Sequence, residues 1–390
     1  MRTQVGIVGA GPAGLMLSHL LARAGIDSVI VERHSRAYVE ARIRAGVIEN
    51  WAADLLAETG VGARMQREGL FHEGIEIGLN GERRRIDFKR LTGRGIMVYG
   101  QHEVVKDLIE ARCAAGGKIE FEIVETSVHD FDGRAPKIRY KKGGEVQEIA
   151  CDFIAGCDGF HGICRPSIAD GVLTEYERIY PFGWLGILSQ SPPVSPELIY
   201  SYTNRGFALY TMRSLTVSRL YLQCAPDEDI AKWPDDKIWK ELKARLGPGG
   251  DKILQEGKVL EKSVTAMRSF VVEPMQAGRL FLAGDAAHIV PPTGAKGMNL
   301  AIADVLFFSQ ALAEFYRSGK TALLDGYTQK CLSRVWKAQR FSWWMTSMLH
   351  LNPADSPFDR RRQFAELDYV TTSEAASKSL AENYVGLPIA

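Results

Sequence analysis

The chain has 390 residues and a formal net charge of +1, with 48 basic and 47 acidic side chains. This balance gives no electrostatic reason to expect a nucleic acid or a membrane surface as a partner. The length is sufficient for two domains with a large core. The six cysteines form no Cys-x-x-Cys pair, so we expect neither a disulfide nor a metal site.

Two apolar stretches have to be weighed as targeting or membrane segments. The first apolar run begins at Val5 and meets glycine at once, which is not the pattern of a secretory signal. The most apolar helical stretch, residues 300–315, contains Asp304 and Glu314, which argues against a membrane span. We therefore expect a cytoplasmic protein.

The first thirty-two residues have the pattern of a strand–helix–strand unit that binds a dinucleotide. Residues 4–8 and 27–31 predict two buried strands, and residues 15–24 have the apolar spacing of a helix. Three glycines separate the first strand from the helix: Gly9, Gly11 and Gly14.

Each of these glycines has a physical reason in such a unit. Gly9 permits the tight turn, Gly11 lets backbone N–H groups approach a pyrophosphate, and Gly14 lets helix and strand pack closely. Glu32 ends the second strand, where its carboxylate can accept hydrogen bonds from ribose hydroxyls. Three glycines alone can simply form a turn, but the complete order of elements favours a dinucleotide site.

An arginine-rich segment follows the acid, over residues 33–44. Most such runs are solvated basic helices. Its position beside the nucleotide end of a strand also allows a role in binding phosphate, from a resident nucleotide or from a second one.

The rest of the chain alternates between helical and strand patterns. A β-hairpin is predicted over residues 74–88, because its two alternating strands flank Asn80 and Gly81. The other predicted elements are helices at 51–60, 103–115, 237–245 and 298–317, a β-meander at 128–140, buried strands at 151–155 and 279–283, a strand-rich region at 181–268 and a mostly helical region at 322–384.

Two further glycine–acid motifs follow buried strands. Asp158 lies in the bend Gly156-Cys157-Asp158-Gly159, and Asp285 follows Gly284 directly. Ligands of open α/β sheets bind at the carboxyl ends of the strands. One such motif could reflect packing alone, but three in this order predict a single nucleotide cleft.

This order of motifs resembles the aromatic flavoprotein monooxygenase family, and the resemblance extends from residue 4 to residue 388. Its most distinctive segments are residues 42–47, 180–186, 268–275, 284–297, 341–347 and 381–388. The resemblance implies an α/β fold (α+β overall). It implies a Rossmann-like FAD-binding domain (1–73, 97–179 and 268–318), a β-sheet substrate domain (74–96 and 180–267) and a helical C-terminal region (319–390). It also implies a homodimer.

By the same resemblance, the protein hydroxylates 4-hydroxybenzoate to 3,4-dihydroxybenzoate with FAD, NAD(P)H and O2. Arg213 is expected to bind the substrate carboxylate, because its guanidinium can form two parallel hydrogen bonds. The resemblance adds hydroxyl groups from Thr211 and Tyr221. The family usually has serine where this chain has Thr211, so an extra methyl group enters the pocket.

The substrate ring must also become electron-rich, which requires the phenol to ionise although a free phenol titrates near ~10. The resemblance assigns Tyr200 to the phenol oxygen, Tyr384 behind it and His72 to the solvent end of the relay, since histidine titrates near neutrality. Pro292 and Thr293 are expected beside the flavin ring. Without the family, a tyrosine in a strand is most often core, and a lone histidine most often belongs to the surface or core.

Two sets of nucleotide-binding residues are implied. The residues expected to hold FAD are Gly9, Gly11, Gly14, Glu32, Arg42, Arg44, Gln101, Arg219, Asp285, Lys296, Gly297 and Asn299. The residues expected to meet the electron donor are Arg33, His34, Tyr38, Arg42, Asp158, His161 and Arg268. Arginines favour the 2′-phosphate of NADPH over NADH, whereas Glu40 opposes it.

Two alternatives stay open at this point. The nearer one is an enzyme of the same fold that acts on a different aromatic acid. The other is a non-enzymatic binding module on this fold, like the Rab escort and dissociation-inhibitor proteins. The intact Gly284-Asp285 motif argues against the second.

Overall fold

The computed structural model describes residues 1–43, 46–79 and 81–389. Its strands are β1 (Val5–Val8), β2 (Ser28–Val31), β3 (Val47–Ile48), β4 (Leu70–His72), β5 (Gly74–Leu79), β6 (Glu82–Asp87), β7 (Ile96–Val98), β8 (Lys118–Glu120), β9 (Val124–His129), β10 (Lys137–Lys142), β11 (Glu145–Ala150), β12 (Phe153–Gly156), β13 (Thr174–Gln190), β14 (Ile199–Tyr202), β15 (Ala208–Met212), β16 (Ser218–Cys224), β17 (Lys258–Glu273), β18 (Gln276–Ala277), β19 (Leu280–Leu282) and β20 (His288–Ile289). Its helices are α1 (Pro12–Arg23), α2 (Arg36–Ala41), α3 (Asn50–Glu58), α4 (Ala63–Glu68), α5 (Phe88–Thr92), α6 (Gln101–Ala114), α7 (Asp235–Leu246), α8 (Gly250–Ile253), α9 (Gly297–Ser318), α10 (Ala322–Asp325), α11 (Tyr327–Leu349), α12 (Pro357–Thr372) and α13 (Glu374–Val385).

A six-stranded sheet carries the nucleotide-binding pattern, with the strand order β18-β19-β12-β1-β2-β8. Five of its strands are parallel, and β18 pairs antiparallel with β19 at one edge. Every residue of β1, β2, β12 and β19 is buried. Strands buried on both faces need continuous apolar runs, which is why short apolar segments identified these four in the sequence.

An eight-stranded sheet forms the second layer, with the order β20-β17-β13-β16-β15-β14-β5-β6. All of its pairs are antiparallel except β14 with β5. The hairpin predicted at 74–88 is confirmed as β5 and β6, although Asn80 of its turn lies outside the described residues. The proposed division into three regions stays a prediction, and its boundaries at 180 and 268 fall inside the long strands β13 and β17.

Two three-stranded sheets complete the β-structure. One has the order β11-β10-β9 and is the predicted meander, although it begins at Val124 and ends at Ala150. The other has the order β3-β7-β4 and was not predicted. Its strands have two or three residues each, which is too short for an alternating pattern to be recognised.

The C-terminal helices cover the eight-stranded sheet. Helices α11, α12 and α13 contribute Phe341, Leu367 and Tyr384 to one apolar cluster that also contains Tyr200 of β14. The predicted helical region is therefore confirmed, and it brings the end of the chain against the middle of the sheet.

Helix α9 is long and apolar enough to cross a membrane by length and composition, and it is the one such helix within the described ranges. However, 67% of its most apolar window is buried inside the fold. It packs against α1 and α11, and this burial is typical of a core helix.

Candidate active site

A cavity of about 750 Å³ runs along the carboxyl ends of the parallel strands. The three predicted motifs all line it: Gly9 and Gly11 after β1, Glu32 after β2, Asp158 after β12 and Gly284-Asp285 after β19. The prediction that three strand ends form one cleft is therefore confirmed.

The glycines of the first turn differ in what surrounds them. Gly9 has a φ of +105°, and a Cβ there would lie 2.4 Å from the Cys157 carbonyl oxygen. A Cβ on Gly14 would lie 2.0 Å from the Gly9 carbonyl oxygen. A Cβ on Gly11 would meet nothing within 4 Å among the described residues, because this glycine faces the cavity. Gly9 and Gly14 are thus required by the fold, whereas Gly11 leaves room for a ligand.

Glu32 is held in place by the loop it faces. Its carboxylate accepts hydrogen bonds from the Ala10 N–H at 2.8 Å and the His34 N–H at 2.9 Å. Each carboxylate oxygen has two lone pairs, so both retain capacity for the hydroxyls of a ribose.

Asp158 caps its own bend. Its Oδ2 accepts from the Ile163 N–H at 2.6 Å and the Cys164 N–H at 2.9 Å. Burial raises the pKa of this carboxyl, although the backbone donors oppose the shift. Its Oδ1 is buried without a hydrogen-bond partner in the described part of the chain.

Most residues expected to bind a nucleotide line this cavity. They are Gly9, Gly11, Glu32, Arg33, His34, Arg42, Gln101, Asp158, His161, Arg268, Asp285, Lys296 and Gly297, together with Pro292. Gly14 and Asn299 lie behind the lining, Tyr38 stacks on His34 at the rim with ring centroids 4.1 Å apart, and Arg219 lies on the eight-stranded sheet. Arg44 lies outside the described residues.

The lining fits a flavin adenine dinucleotide. Among the helices that begin at the cavity are α1, after Gly11, and α9, at Gly297, and no side chain of the described residues caps the N-terminal N–H groups of either. Helix N-termini of this kind bind anionic groups such as a pyrophosphate. A Cβ on Gly297, like one on Gly11, would meet nothing within 4 Å in the described ranges. Open backbone donors at both places suit a pyrophosphate, and the carboxylates of Glu32 and Asp285 in the same lining can accept from hydroxyl groups of the cofactor.

The substrate residues share one face of the eight-stranded sheet. Tyr200 of β14 is directly opposite Leu209 of β15, which is opposite Tyr221 of β16. Residues opposite each other in antiparallel strands project to the same face, and so do alternate residues along one strand. Thr211, two residues after Leu209, therefore lies on the same face as Tyr200, and Arg213 continues that alternation.

Arg213 is anchored by its neighbours on this face. Its guanidinium donates to the Thr211 hydroxyl at 3.2 Å and to the Met212 carbonyl oxygen at 3.0 Å, and it hydrogen bonds to Tyr221. Burial lowers the pKa of Arg213. Thr211 donates in turn to the Arg219 carbonyl oxygen at 3.0 Å, so the hydroxyl that serine would supply is still used. Arg219 packs over the ring of Tyr221 at 5.5 Å.

Tyr200 and Tyr384 are brought together from opposite ends of the sequence. Their hydroxyl oxygens lie 2.5 Å apart, and the Tyr200 hydroxyl also lies 3.3 Å from the Thr293 carbonyl oxygen. Burial raises the pKa of both phenols, that of Tyr200 most strongly. Both tyrosines therefore keep their protons at neutral pH and can act as hydrogen-bond donors.

His72 was expected to lie at the solvent end of the relay and to titrate near neutrality, but its side chain is buried. It is only 2% exposed, and burial lowers its pKa to about 4, against an opposing effect of Glu197. Neither ring nitrogen has a hydrogen-bond partner in the described ranges. The expectation failed because a lone histidine in a sequence gives no sign of its burial.

One buried cluster was missed by the sequence analysis. Glu49 accepts from Lys296 at 2.7 Å, from Arg334 at 2.7 Å and from Trp51 at 2.5 Å. Lys296 also donates to the main-chain carbonyl of Tyr384 at 3.0 Å. Burial lowers the pKa of Lys296, and Glu49 opposes that shift. The partners are 247 and 285 residues apart in the chain, so no local pattern could have connected them.

The fold and the cavity define a flavoprotein oxidoreductase, in which a dinucleotide site adjoins a face of buried tyrosines and an arginine. Residues 2–342 match the family described as "FAD binding domain". A p-hydroxybenzoate hydroxylase of Acinetobacter baylyi is 52% identical over 389 residues, which cover 100% of this chain and 96% of that protein. The chain belongs to the FAD-dependent aromatic hydroxylase family.

More distant relatives agree with this fold. An uncharacterized aromatic compound monooxygenase, YhjG of Bacillus subtilis, is 26% identical over 84% of this chain and 65% of its own length. The crystal structure of p-nitrophenol 4-monooxygenase PnpA from Pseudomonas putida DLL-E4 superposes with a TM-score of 0.84 at 18% identity, covering 99% of both chains. This last likeness concerns the fold alone.

Proposed function

We propose that the protein hydroxylates 4-hydroxybenzoate ortho to its hydroxyl group, giving 3,4-dihydroxybenzoate. The proposal rests on the observation that Tyr200 and Arg213 lie on one face of the sheet. Leu209 is directly opposite Tyr200 on the neighbouring strand, and Arg213 follows Leu209 by four residues, or roughly 14 Å along a strand. Two long side chains from these positions can meet the hydroxyl and the carboxylate of one small aromatic ring. The 52% identity to a protein named p-hydroxybenzoate hydroxylase supports the same substrate.

The carboxylate end is the Arg213 end. Its guanidinium is fixed by Thr211 and the Met212 carbonyl, so little side-chain freedom is lost when a carboxylate binds. A carboxylate can also pair with a guanidinium through two parallel, charge-assisted hydrogen bonds.

The phenol end is the Tyr200 end. The short contact between Tyr200 and Tyr384 allows Tyr384 to donate to Tyr200, which leaves the Tyr200 proton for the substrate oxygen. A hydrogen bond to the charged form lowers a pKa, so the substrate phenolate is favoured. We assign His72 a place further along this route as a neutral proton acceptor, because its low pKa leaves the ring uncharged above pH 5.

Bound FAD supplies the redox chemistry, taking a hydride from the nicotinamide and activating O2. The balanced reaction converts 4-hydroxybenzoate, O2, NAD(P)H and a proton into 3,4-dihydroxybenzoate, NAD(P)⁺ and water. The protein positions the ring and excludes water from it. Pro292 and Thr293 contribute to this exclusion, because the turn they form joins the cavity to Tyr200.

One assay tests this function. Nucleotide oxidation is measured with and without 4-hydroxybenzoate, and the product is identified by chromatography. Stoichiometric 3,4-dihydroxybenzoate is the expected result. Parallel reactions with 3-hydroxybenzoate and 3,4-dihydroxybenzoate test the alternative of a different aromatic acid, and a colourless purified protein would favour the non-enzymatic alternative.

We also propose NADPH as the preferred donor. Glu40, the acid expected to repel a 2′-phosphate, is paired with Arg36 at 2.6 Å. Arg33 lies beside the His34 ring at 3.1 Å, and Tyr38 stacks on that ring. The rim therefore offers a cation and a hydroxyl to a phosphate, while the opposing carboxylate of Glu40 is neutralised.

We further propose a cytoplasmic homodimer. Trp336 and Trp343 lie on one face of α11, seven residues apart, and each is 42% exposed. Met345 and Met348 belong to the core, so only the tryptophan side of this helix is free to meet a second copy. Light scattering after size exclusion tests this, and a monomeric mass at micromolar concentration would contradict it.

A further inference from the structure

His288 and Asp304 form a buried ion pair beside the flavin cavity, and the reaction described above does not use either of them. The His288 Nε2 lies 2.6 Å from the Asp304 Oδ2, and each side chain is 1% exposed. Burial lowers the pKa of His288, but the Asp304 carboxylate, together with Asp285 and a backbone hydrogen bond, opposes that effect and the pKa is raised. The Asp304 carboxylate therefore favours the charged form of the ring.

Asp304 also holds the turn that carries Asp285. The same Oδ2 accepts from the Gly284 N–H at 2.9 Å, and the Cys331 thiol is hydrogen-bonded to the carboxyl group. Gly284 has a φ of +63°, and a Cβ there would lie 3.2 Å from Ala301 of α9. Asp304 thus joins the end of β19 to the helix whose N-terminus opens onto the cavity.

The position of the pair has an electrostatic consequence. Four carboxylates line the cavity, those of Glu32, Glu125, Asp158 and Asp285, and the cofactor is itself an anion. Glu125 is paired with Lys141, and the carboxylate of Asp304 would add a further negative charge in a region of low dielectric. Asp304 and Asp285 both raise the pKa of His288, so a positive charge on His288 offsets theirs.

We infer that His288 and Asp304 are positioning residues for FAD. Asp304 holds the Gly284-Asp285 turn, and His288 cancels the charge of Asp304. This rests on the FAD site but not on the identity of the aromatic substrate. A charge-compensation role makes a prediction that a packing role does not. Removing the histidine charge alone is worse than removing both charges, because only the single change leaves a buried carboxylate uncompensated.

The experiment is an FAD titration of apoprotein, followed by the quenching of flavin fluorescence without any aromatic substrate. His288→Gln keeps an N–H donor and removes the charge, and we expect FAD binding to weaken at least about tenfold. The double variant His288→Gln/Asp304→Asn should return to within about threefold of the parent. Asp304→Asn alone should also stay within about threefold, since an amide oxygen still accepts from Gly284.

Melting temperatures of the apoproteins accompany each titration. The matched control is Arg245→Gln, which breaks the Arg245–Glu241 pair of helix α7 and should lower stability without changing FAD affinity. His288→Gln within twofold of the parent would overturn the inference, as would a double variant no better than His288→Gln. If His288→Gln fails to fold, a double variant that folds and binds FAD shows the same rescue. A double variant that also fails to fold overturns the inference.

Protein that binds FAD in this order of affinities but forms no 3,4-dihydroxybenzoate would refute the proposed substrate alone.

Discussion

The cofactor cavity and the substrate face of the eight-stranded sheet are built by different means. The cavity is made largely of main chain: turns that only glycine can form and two helix N-termini. The substrate face is made of side chains, Tyr200, Arg213 and Tyr221 from three strands and Tyr384 from the last helix. A site made of main chain leaves a local signature in the sequence, whereas a site made of side chains depends on how distant elements pack.

The largest effect is expected in the cofactor cavity, where substitutions of two glycines should have different consequences. Gly14→Ala should prevent normal folding, because the new Cβ would lie 2.0 Å from the Gly9 carbonyl oxygen. Gly11→Ala should fold with unchanged stability and lose FAD affinity by at least about tenfold, because its Cβ enters the space of the ligand. Circular dichroism and FAD titration measure the two properties, and equal loss of stability in both variants would contradict this division.

This contrast explains how much could be predicted. The glycine–acid motifs and Glu32 were predicted to form one cleft because strand ends follow a general rule. The pairing of Tyr200 with Tyr384 spans 184 residues and was expected only from the family resemblance. The Glu49 cluster was missed, and the burial of His72 was not foreseen, because both depend on tertiary packing that no local pattern encodes.

The next effect is on the substrate face. Arg213→Ala should weaken 4-hydroxybenzoate binding by about 3–5 kcal/mol, which is about a hundredfold or more, since a buried carboxylate loses its charged partner. FAD affinity should not change, because the guanidinium lies on the sheet rather than in the cavity lining. Arg205→Ala is the control, an exposed arginine of the turn between β14 and β15 that is paired with Glu241. A loss of FAD affinity in Arg213→Ala would show that the substrate face and the cofactor cavity are not independent.

A third effect concerns stability in acid. The pKa of His72 is about 4 in the folded protein, below the usual ~6.5. As the pH falls, the unfolded chain therefore binds the extra proton first. The contribution of neutral His72 to the free energy of unfolding is complete above pH 6.5 and is lost as the pH falls toward 4. The loss amounts to about 3 kcal/mol. Urea unfolding at pH 7 and pH 4.5 should show a smaller acid loss in His72→Gln, with His129→Gln as control. An unchanged acid loss would mean that His72 is accessible to water.

The smallest effect is expected at the exposed rim of the cavity. The ratio of kcat/KM for NADPH and NADH should exceed one at low ionic strength, by up to about tenfold, and should fall as salt screens the basic rim. Arg33→Ala should reduce the ratio. Arg36→Ala should also reduce it, because Glu40 would lose its partner. A preference for NADH at low salt would refute the assignment of this segment.

The pKa of the bound phenol shows whether side chains of the sheet ionise the substrate. The holoenzyme with bound 4-hydroxybenzoate is titrated while the phenolate absorbance is followed, for the parent and for Tyr200→Phe. In the parent the bound phenol should titrate clearly below the ~10 of a free phenol, and in Tyr200→Phe it should return toward that value and divert most reducing equivalents to hydrogen peroxide. An equally low pKa in both proteins would contradict the account.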